Sequence, residues 1–324
     1  MGAGVWGSEC LLSPLIVVLG PTGSGKSALG LALAEAFQGA IVNCDSIQVY
    51  RGLDIGSAKL SQESRRAIPH RLIDILSPAE ELTAAAYSDL ARKELVDLKH
   101  KRRLPVVVGG TGFYLKALLD GLSPAPGRDE GIRARLRSIA ARRPLALWRF
   151  LNCSDPEAAK RIHPNDSQKL IRAIELTLAA GQPATATQSL PRNALKGFKA
   201  LKFGLEPPRD FLYEHLNRRA ARMFEDGLLA ETRAILDAGY SPAVKPLQSL
   251  GYKQAIDVLT EKIGIAEAIQ ECQVKTRQYA KRQMTWFRRE PDVHWLRGFG
   301  SEEHVRLQAF QQTEAFLATS HAID

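Results

Sequence analysis

The chain has 324 residues, 45 % of them hydrophobic and 24 % charged, with 44 Lys plus Arg against 35 Asp plus Glu for a formal net charge of +9. That composition is too apolar for a disordered protein and suits one large or two modest domains. The longest apolar runs, Leu15 to Leu19 and Leu104 to Val108, are strand-length and far short of the roughly 20 residues that a membrane-spanning helix needs.

The residues ahead of the first strand, Met1 to Pro14, lack a basic segment followed by a long apolar core, which argues against a secretory signal. Leu15 to Leu19 reads as a strand ending in Gly20, and the Ala- and Leu-rich stretch Ser27 to Phe37 as a helix. Further strands are expected at Ala40 to Asn43, Leu72 to Leu76 and Leu104 to Val108. Between the last two, Tyr87, Leu90, Ala91, Leu95 and Leu98 recur at helical spacing. Strands alternating with helices predict an α/β fold with a mostly parallel sheet covered on both faces. Composition changes after Asp120: residues 121–127 are rich in Pro and Gly, and no strand signal returns until Ala200 to Leu205. Residues 121–197 therefore read as a helical insertion, dividing the chain into a core of residues 1–120 and 198–324 and an inserted domain of 121–197. Beyond it, Asp210 to Ala238 reads as one helix with Leu212, Leu216, Ala220, Met223 and Phe224 on one face and Gly239 at its end. A second long helix is expected from Ile265 to about Phe287, and the last twenty residues carry no signal.

Cys10, Cys44, Cys153 and Cys272 stand more than thirty positions apart, with no CxxC and no His at metal-site spacing. This argues against a zinc finger or a disulfide framework and for a reducing, cytoplasmic setting. Gly20, Pro21, Thr22, Gly23, Ser24, Gly25, Lys26 and Ser27 fit G-x-x-x-x-G-K-[ST] between a strand and a helix. Such a loop curls so that several N–H groups face one phosphate; Lys26 adds a point charge and Ser27 can ligate Mg²⁺. The usual accomplice in nucleotide hydrolysis is an apolar strand ending in Asp, but Leu104 to Val108 runs instead into Gly109, Gly110, Thr111 and Gly112. Asp45, just past Ala40 to Asn43, is expected at the carboxyl end of a strand neighbouring the phosphate-loop strand. There it can act as a metal ligand or proton acceptor, or serve only as a turn residue.

The positive balance asks for an anionic partner. Lys275 to Arg289 holds six basic residues and no acid, with Trp286 and Phe287 among them. Charge neutralising a backbone beside aromatics that stack on bases is the chemistry of nucleic-acid binding; the alternative is a solvated helix face whose aromatics are core residues at helical spacing. Arg133 to Arg143 and Lys99 to Arg103 are further basic clusters; the second reads as a solvated face. His163 to Glu175 reads as a helix capped by Asp166 or Ser167.

Taken together these segments resemble one family, the tRNA dimethylallyltransferases, also called tRNA isopentenyltransferases, in its bacterial form. The stretches that carry the resemblance are GPTGSGKS (Gly20 to Ser27), DSIQVYRGLDIGSAK (Asp45 to Lys59), PHRLID (Pro69 to Asp74), VVGGTGFYLKAL (Val107 to Leu118), HPNDSQKLIRAIE (His163 to Glu175), MFEDGLLAE (Met223 to Glu231), SLGYKQ (Ser249 to Gln254) and KRQMTWFR (Lys281 to Arg288). The resemblance implies a P-loop NTPase-like α/β core with a helical insertion that grips the anticodon stem-loop. It also implies transfer of a dimethylallyl group from dimethylallyl diphosphate to N6 of the adenosine just 3′ of the anticodon, position 37, in tRNAs reading codons that begin with U. Under it Asp45 takes the amine proton, Thr111 sits by the leaving oxygen and Mg²⁺, and Gly20 to Ser27 with Arg219 hold the diphosphate. The tRNA would be met by Asp45, Ser46, Ile47 and Gln48, by Thr111 and Arg133, and by Gln168, Lys169, Leu170, Ile171 and Arg172. Two further stretches complete that set: Gln248, Ser249, Leu250, Gly251, Tyr252 and Lys253, and Lys281, Arg282, Gln283, Met284, Thr285, Trp286, Phe287 and Arg288. These surfaces would suffice on a monomer. An adenylate isopentenyltransferase or a small-molecule kinase would also explain Gly20 to Ser27, but neither needs a long cationic surface. A non-enzymatic RNA-binding switch would leave Asp45 and Thr111 without a task.

Overall fold

A computed structural model describes residues 12–65 and 68–321; Cys10 and residues 1–11, on which the reading of a signal segment rests, lie outside them. The chain divides into two compact units, one made of the chain up to Leu118 and again from Leu195, the other of Leu119–Ala194.

In the first unit β1 (Ser13–Leu19) leads through the glycine-rich loop into α1 (Lys26–Ala36), followed by β2 (Ala40–Asn43), β3 (His70–Arg71), α2 (Ala84–His100), β4 (Pro105–Val108) and α3 (Gly112–Leu119). The second unit holds α4 (Glu130–Arg142), α5 (Ala146–Ser154), α6 (Pro156–Arg161), α7 (Ser167–Ala180) and α8 (Ala184–Gln188). The first unit then resumes with β5 (Phe198–Leu205), α9 (Arg209–Glu225), α10 (Leu228–Asp237), α11 (Tyr252–Leu259), α12 (Ile265–Phe287), β6 (Val293–Leu296) and α13 (Glu303–His321).

All six strands are parallel, in the order β3-β2-β4-β1-β5-β6. Helices cover the sheet, which is why β2 and β4 are buried at every position and read as unbroken apolar runs. Ile16, Val18, Leu29, Leu33, Val106 and Phe203 form the centre of the core, and α13 closes it with Val305 and Ala309. The silent last stretch of sequence thus contributes a core helix.

Three expectations are corrected. First, β4 stands between β1 and β2, so the strand that leads to Asp45 does not neighbour the phosphate-loop strand. Second, the strand expected at Leu72 to Leu76 is only His70–Arg71: Leu72 and Asp74 take left-handed φ of 59° and 58°. The Leu72 carbonyl accepts from Asn43 Nδ2 at 2.9 Å and the Asp74 carboxylate from Lys59 and Arg65, so side chains compete successfully with the ladder. Third, the helix expected over Asp210 to Ala238 is two helices, broken at Gly227 with φ 105°.

Within the second unit, the core is built from Leu136, Leu147, Leu151, Leu170, Ile171 and Ile174. Asp129 caps α4 and Asp166 caps α7, each accepting a backbone N–H three residues on. Glu175, buried, accepts from Arg133 Nε and the Asp129 N–H at one oxygen and from Arg133 and Arg172 at the other. Burial alone would raise its pKa, yet the two guanidiniums and the amide hold it down at about 2.

Candidate active site

The carboxyl ends of β1, β4 and β2 bring three loops side by side, the position where open α/β sheets bind ligands. The phosphate loop follows β1. Gly25 has φ 85°, and a Cβ there would lie 2.7 Å from the Gly300 backbone N, so glycine alone fits. Lys26 Nζ donates to the Pro21 carbonyl at 2.6 Å. Burial, reinforced by Arg219 and opposed by Asp45, brings its pKa down to about 8.

After β4 the chain passes through Gly109, whose missing Cβ lets the backbone lie on the Cys44 carbonyl. Thr111 then meets the loop after β2: its Oγ1 accepts from the Ser46 N–H at 3.0 Å, and its own N–H donates to the Cys44 carbonyl at 3.2 Å. Asp45 Oδ1 accepts from the N–H groups of Ile47 at 2.8 Å and Gln48 at 3.3 Å. Asp45 is thus a turn residue and a cavity residue together. Burial pushes the adjacent Cys44 thiol up to about 12, which excludes a thiolate nucleophile there.

Two cavities open on this corner. The first, about 310 Å³, is lined by Lys26, Ser27, Asn43, Asp45, His215 and Arg219 among others. The second, about 330 Å³, has Leu216, Met223, Leu250, Cys272, Tyr279 and Arg282 on its walls. Thr22, Asp45, Ser57 and Arg219 line both. Arg219, on α9, has neither a hydrogen bond nor an ion pair among the described residues. An arginine that makes no ion pair, with Asp45 the one carboxylate acting on it from a distance, is suited to a polyanion beside a glycine-rich phosphate loop. Ser27 Oγ is likewise without a hydrogen-bond partner among the described residues, and no three or more His, Cys, Asp or Glu among them are placed to hold a metal ion together. Hard oxygens in small number fit Mg²⁺ carried on ligand phosphates and water rather than a protein-caged metal.

Two clamps were not legible in the sequence. Gln283 on α12 accepts from the Thr22 N–H at 2.7 Å and donates to the Gly110 carbonyl at 2.7 Å, tying the phosphate loop to the loop after β4. Glu231 on α10 accepts the backbone N–H groups of Asp54, Ile55 and Gly56 and the Tyr252 hydroxyl, the last at 2.5 Å. These contacts explain the MFEDGLLAE and SLGYKQ stretches, which fasten the DIGSAK loop.

The expected RNA-facing residues divide sharply. Gln168, Lys169, Gln248, Lys253, Lys281, Arg282, Thr285, Trp286 and Arg288 are exposed. Ser46, Ile47, Gln48, Ser249, Leu250 and Met284 are half-buried, all but Gln48 and Met284 around the second cavity. Leu170 and Ile171 are core residues, Tyr252 and Phe287 are fully buried, Gly251 is buried and Gln283 is the clamp; these side chains serve the interior, a correction to the expectation. Arg133 is committed to Glu175 by two hydrogen bonds of 2.9 Å, and Arg172 shares that partner. Trp286 lies against Gly112.

The family model described as IPP transferase matches residues 48–290. A tRNA dimethylallyltransferase from Koribacter versatilis is 52 % identical over 92 % of this chain and 97 % of its own, and one from Solibacter usitatus 49 % identical over 94 % and 99 %. The crystal structure of the full-length tRNA isopentenylpyrophosphate transferase from Bacillus halodurans superposes with a TM-score of 0.69 at 34 % identity, covering 95 % of this chain and 96 % of that one. A eukaryotic dimethylallyltransferase captured acting on tRNA gives a TM-score of 0.81 at 26 % identity, over 95 % of this chain and 80 % of that one. Matches of this identity over nearly the whole length make the chain a member of the IPP transferase family.

Proposed function

We infer that this protein transfers a dimethylallyl group from dimethylallyl diphosphate to N6 of the adenosine at position 37, 3′ of the anticodon, in tRNAs reading codons that begin with U. The observation that carries the reading is the sharing of Asp45 and Arg219 between two cavities, one at a phosphate loop and one with Leu216, Met223 and Leu250 on part of its wall. The loop N–H groups, Lys26 and Arg219 hold the diphosphate. A stacked adenine cannot bring its amino group to a buried electrophile, so the base leaves the stack to enter. The C1–N6 bond forms as the C1–O bond breaks; the electron pair leaves on the diphosphate and the N6 proton passes to Asp45. Thr111, whose oxygen already accepts from Ser46, has its hydroxyl hydrogen free to donate to the departing oxygen. Ser27 would hold Mg²⁺, which supplies charge neutralisation on the leaving group.

The exposed cations Lys281, Arg282 and Arg288 support tRNA as the macromolecular partner. Asp45, Thr111, Lys26 and Arg219 all come from one chain, which supports action as a monomer. No helix among the described residues is long and apolar enough to cross a membrane, and the RNA substrate argues for a cytoplasmic site of action. The test is incubation with Mg²⁺ and radiolabelled dimethylallyl diphosphate, offered in parallel an unmodified anticodon stem-loop with A at position 37 and free AMP. Label in the RNA is expected. Label in AMP alone would move the protein to the adenylate branch, and label in neither would sink prenyl transfer.

A further inference from the structure

His215 has no task in the reaction as described. It stands one helical turn before Arg219 on α9 and lines the phosphate-loop cavity with Lys26 and Asp45. Its Cδ2 lies 3.4 Å from where a Cβ on Gly23 would stand, and its ring is tilted against Phe299 with centroids 5.6 Å apart. Neither ring nitrogen has a hydrogen-bond partner among the described residues.

The charged and titratable groups that face this cavity come from every side. Lys26 comes from α1, Asp45 from the loop after β2 and His70 from β3. Arg218, Arg219 and Arg222 share the helix of His215, and the 299–301 segment contributes only Phe299 and Ser301 to the wall. Nδ1 of His70 is already taken by the Ile68 carbonyl at 2.8 Å. Burial first, then Arg219, Arg222 and Arg218, push the pKa of His215 below its ordinary value, so the ring is neutral at neutral pH. A permanent cation here, beside Arg219 and the Lys26 ammonium, would be repelled whenever no anion is present. A histidine avoids that repulsion because it can charge only when the anion arrives.

We propose that His215 is a proton-gated ligand of the diphosphate, taking one proton from solvent as the anion binds and donating from its ring to a phosphate oxygen. The inference rests on the reading of this cavity as the diphosphate site. Its consequence is that the donor and the departing diphosphate are both held more tightly as pH falls through the value His215 has in the complex.

The probe is inorganic pyrophosphate with full-length protein labelled with ¹³C-histidine. The His215 signal is assigned as the one missing in H215Q, or in H215N should the first variant not fold. Saturating pyrophosphate is expected to raise the His215 pKa by about one unit or more, with a smaller change at His70. Calorimetry should then give a ratio of wild-type to variant affinity roughly two- to fivefold larger near about pH 6 than near about pH 8.5, approaching about tenfold only at lower pH. Using the ratio cancels the titration of pyrophosphate itself. Pyrophosphate that binds while the His215 titration stays unchanged overturns the proposal, as does an equal ratio at both pH values, the signature of a purely structural side chain. Failure of pyrophosphate to bind the wild-type protein would overturn the diphosphate reading of the cavity, and this inference with it.

Discussion

The carboxamide of Gln283 occupies the Thr22 N–H at 2.7 Å and so fixes, from a helix distant in sequence, the first half of the phosphate loop. Its other end holds the Gly110 carbonyl, one residue from Thr111. Gln283→Leu leaves the buried Gly110 carbonyl without a partner, at a cost of about 1–3 kcal/mol, and frees the half-buried Thr22 N–H to the cavity. We expect a lowered melting temperature and a fall in kcat larger than the rise in KM for the donor. Gln283→Glu can satisfy Thr22 but sets a carboxylate against the Gly110 carbonyl, and should be as damaging. Steady-state kinetics beside a thermal melt check this, and full activity in both variants would remove the clamp from the mechanism.

Asp45→Asn keeps an oxygen that can accept from Ile47 and Gln48, so the turn should survive while the proton acceptor is lost. Turnover should fall by roughly 10²–10⁴, the usual scale of general-base catalysis. Affinity for tRNA, read by filter binding, should stay within a factor of about two of wild type, since one phosphate-free contact is altered without charge repulsion from the RNA.

Glu231→Ala strips three backbone N–H groups and the Tyr252 hydroxyl of their acceptor at once. Faster amide hydrogen exchange over residues 53–57 is the expected result, together with a loss of stability of about 2 kcal/mol or more. Tyr252→Phe leaves Glu231 its three amide donors and should have a much smaller effect on exchange. Equal exchange in all three proteins would show that the loop is held elsewhere.

Arg282 is exposed and lies over the Tyr279 ring at 5.8 Å, while Arg288 pairs with Glu206 at 2.7 Å. Arg282→Ala should weaken tRNA binding and reduce the slope of log affinity against log salt by about one, as expected for a lost phosphate contact. Arg288→Ala should lower the salt slope to a lesser extent, because Glu206 already neutralises part of the Arg288 charge. An unaltered salt slope in Arg282→Ala would falsify a phosphate contact at that position.

Glu175 has a pKa depressed to about 2 in the folded protein, against an ordinary value of 4.5. A carboxylate with a depressed pKa stabilises the fold fully above its unfolded value and loses that contribution as pH falls through the folded one. Acid should therefore loosen the helical unit Leu119–Ala194 progressively below about pH 4.5, with the loss complete near about pH 2. Glu175→Gln should be less stable near neutrality and show a flatter acid limb in a series of denaturant melts.

The core strands were legible because β1, β2 and β4 are buried on both faces and leave uninterrupted apolar runs, and α12 was legible from end to end, Ile265–Phe287. The break at Gly227 was missed because the same helical spacing continues across it; only a positive φ, invisible in a sequence, separates α9 from α10. The strand expected near Leu76 failed for a related reason, since Asn43 and Lys59, remote in sequence, redirect the backbone. In the site, Thr22, Lys26, Ser27, Asp45 and Arg219 line one cavity, and Thr111 bonds the Ser46 N–H beside Asp45, which motif spacing alone could not establish. Gln283 and Tyr252 fall within the stretches that the resemblance implies meet tRNA. Their buried hydrogen bonds to main-chain or carboxylate partners leave no periodic mark.

Glu231 grips residues 54–56 by their main chain, so the identity of the side chains there is decoupled from the hold. In a saturation mutagenesis map this loop should read as a mosaic. Ile55 should accept many replacements, and Asp54 several, because Lys59 keeps Asp74 and the Tyr50 carbonyl when Asp54 is lost. Gly56 should accept almost none, since a Cβ there would stand 2.5 Å from the Tyr252 ring. Sequence drift can then pass through Asp54 and Ile55 without altering the shape the DIGSAK loop presents to the cavity.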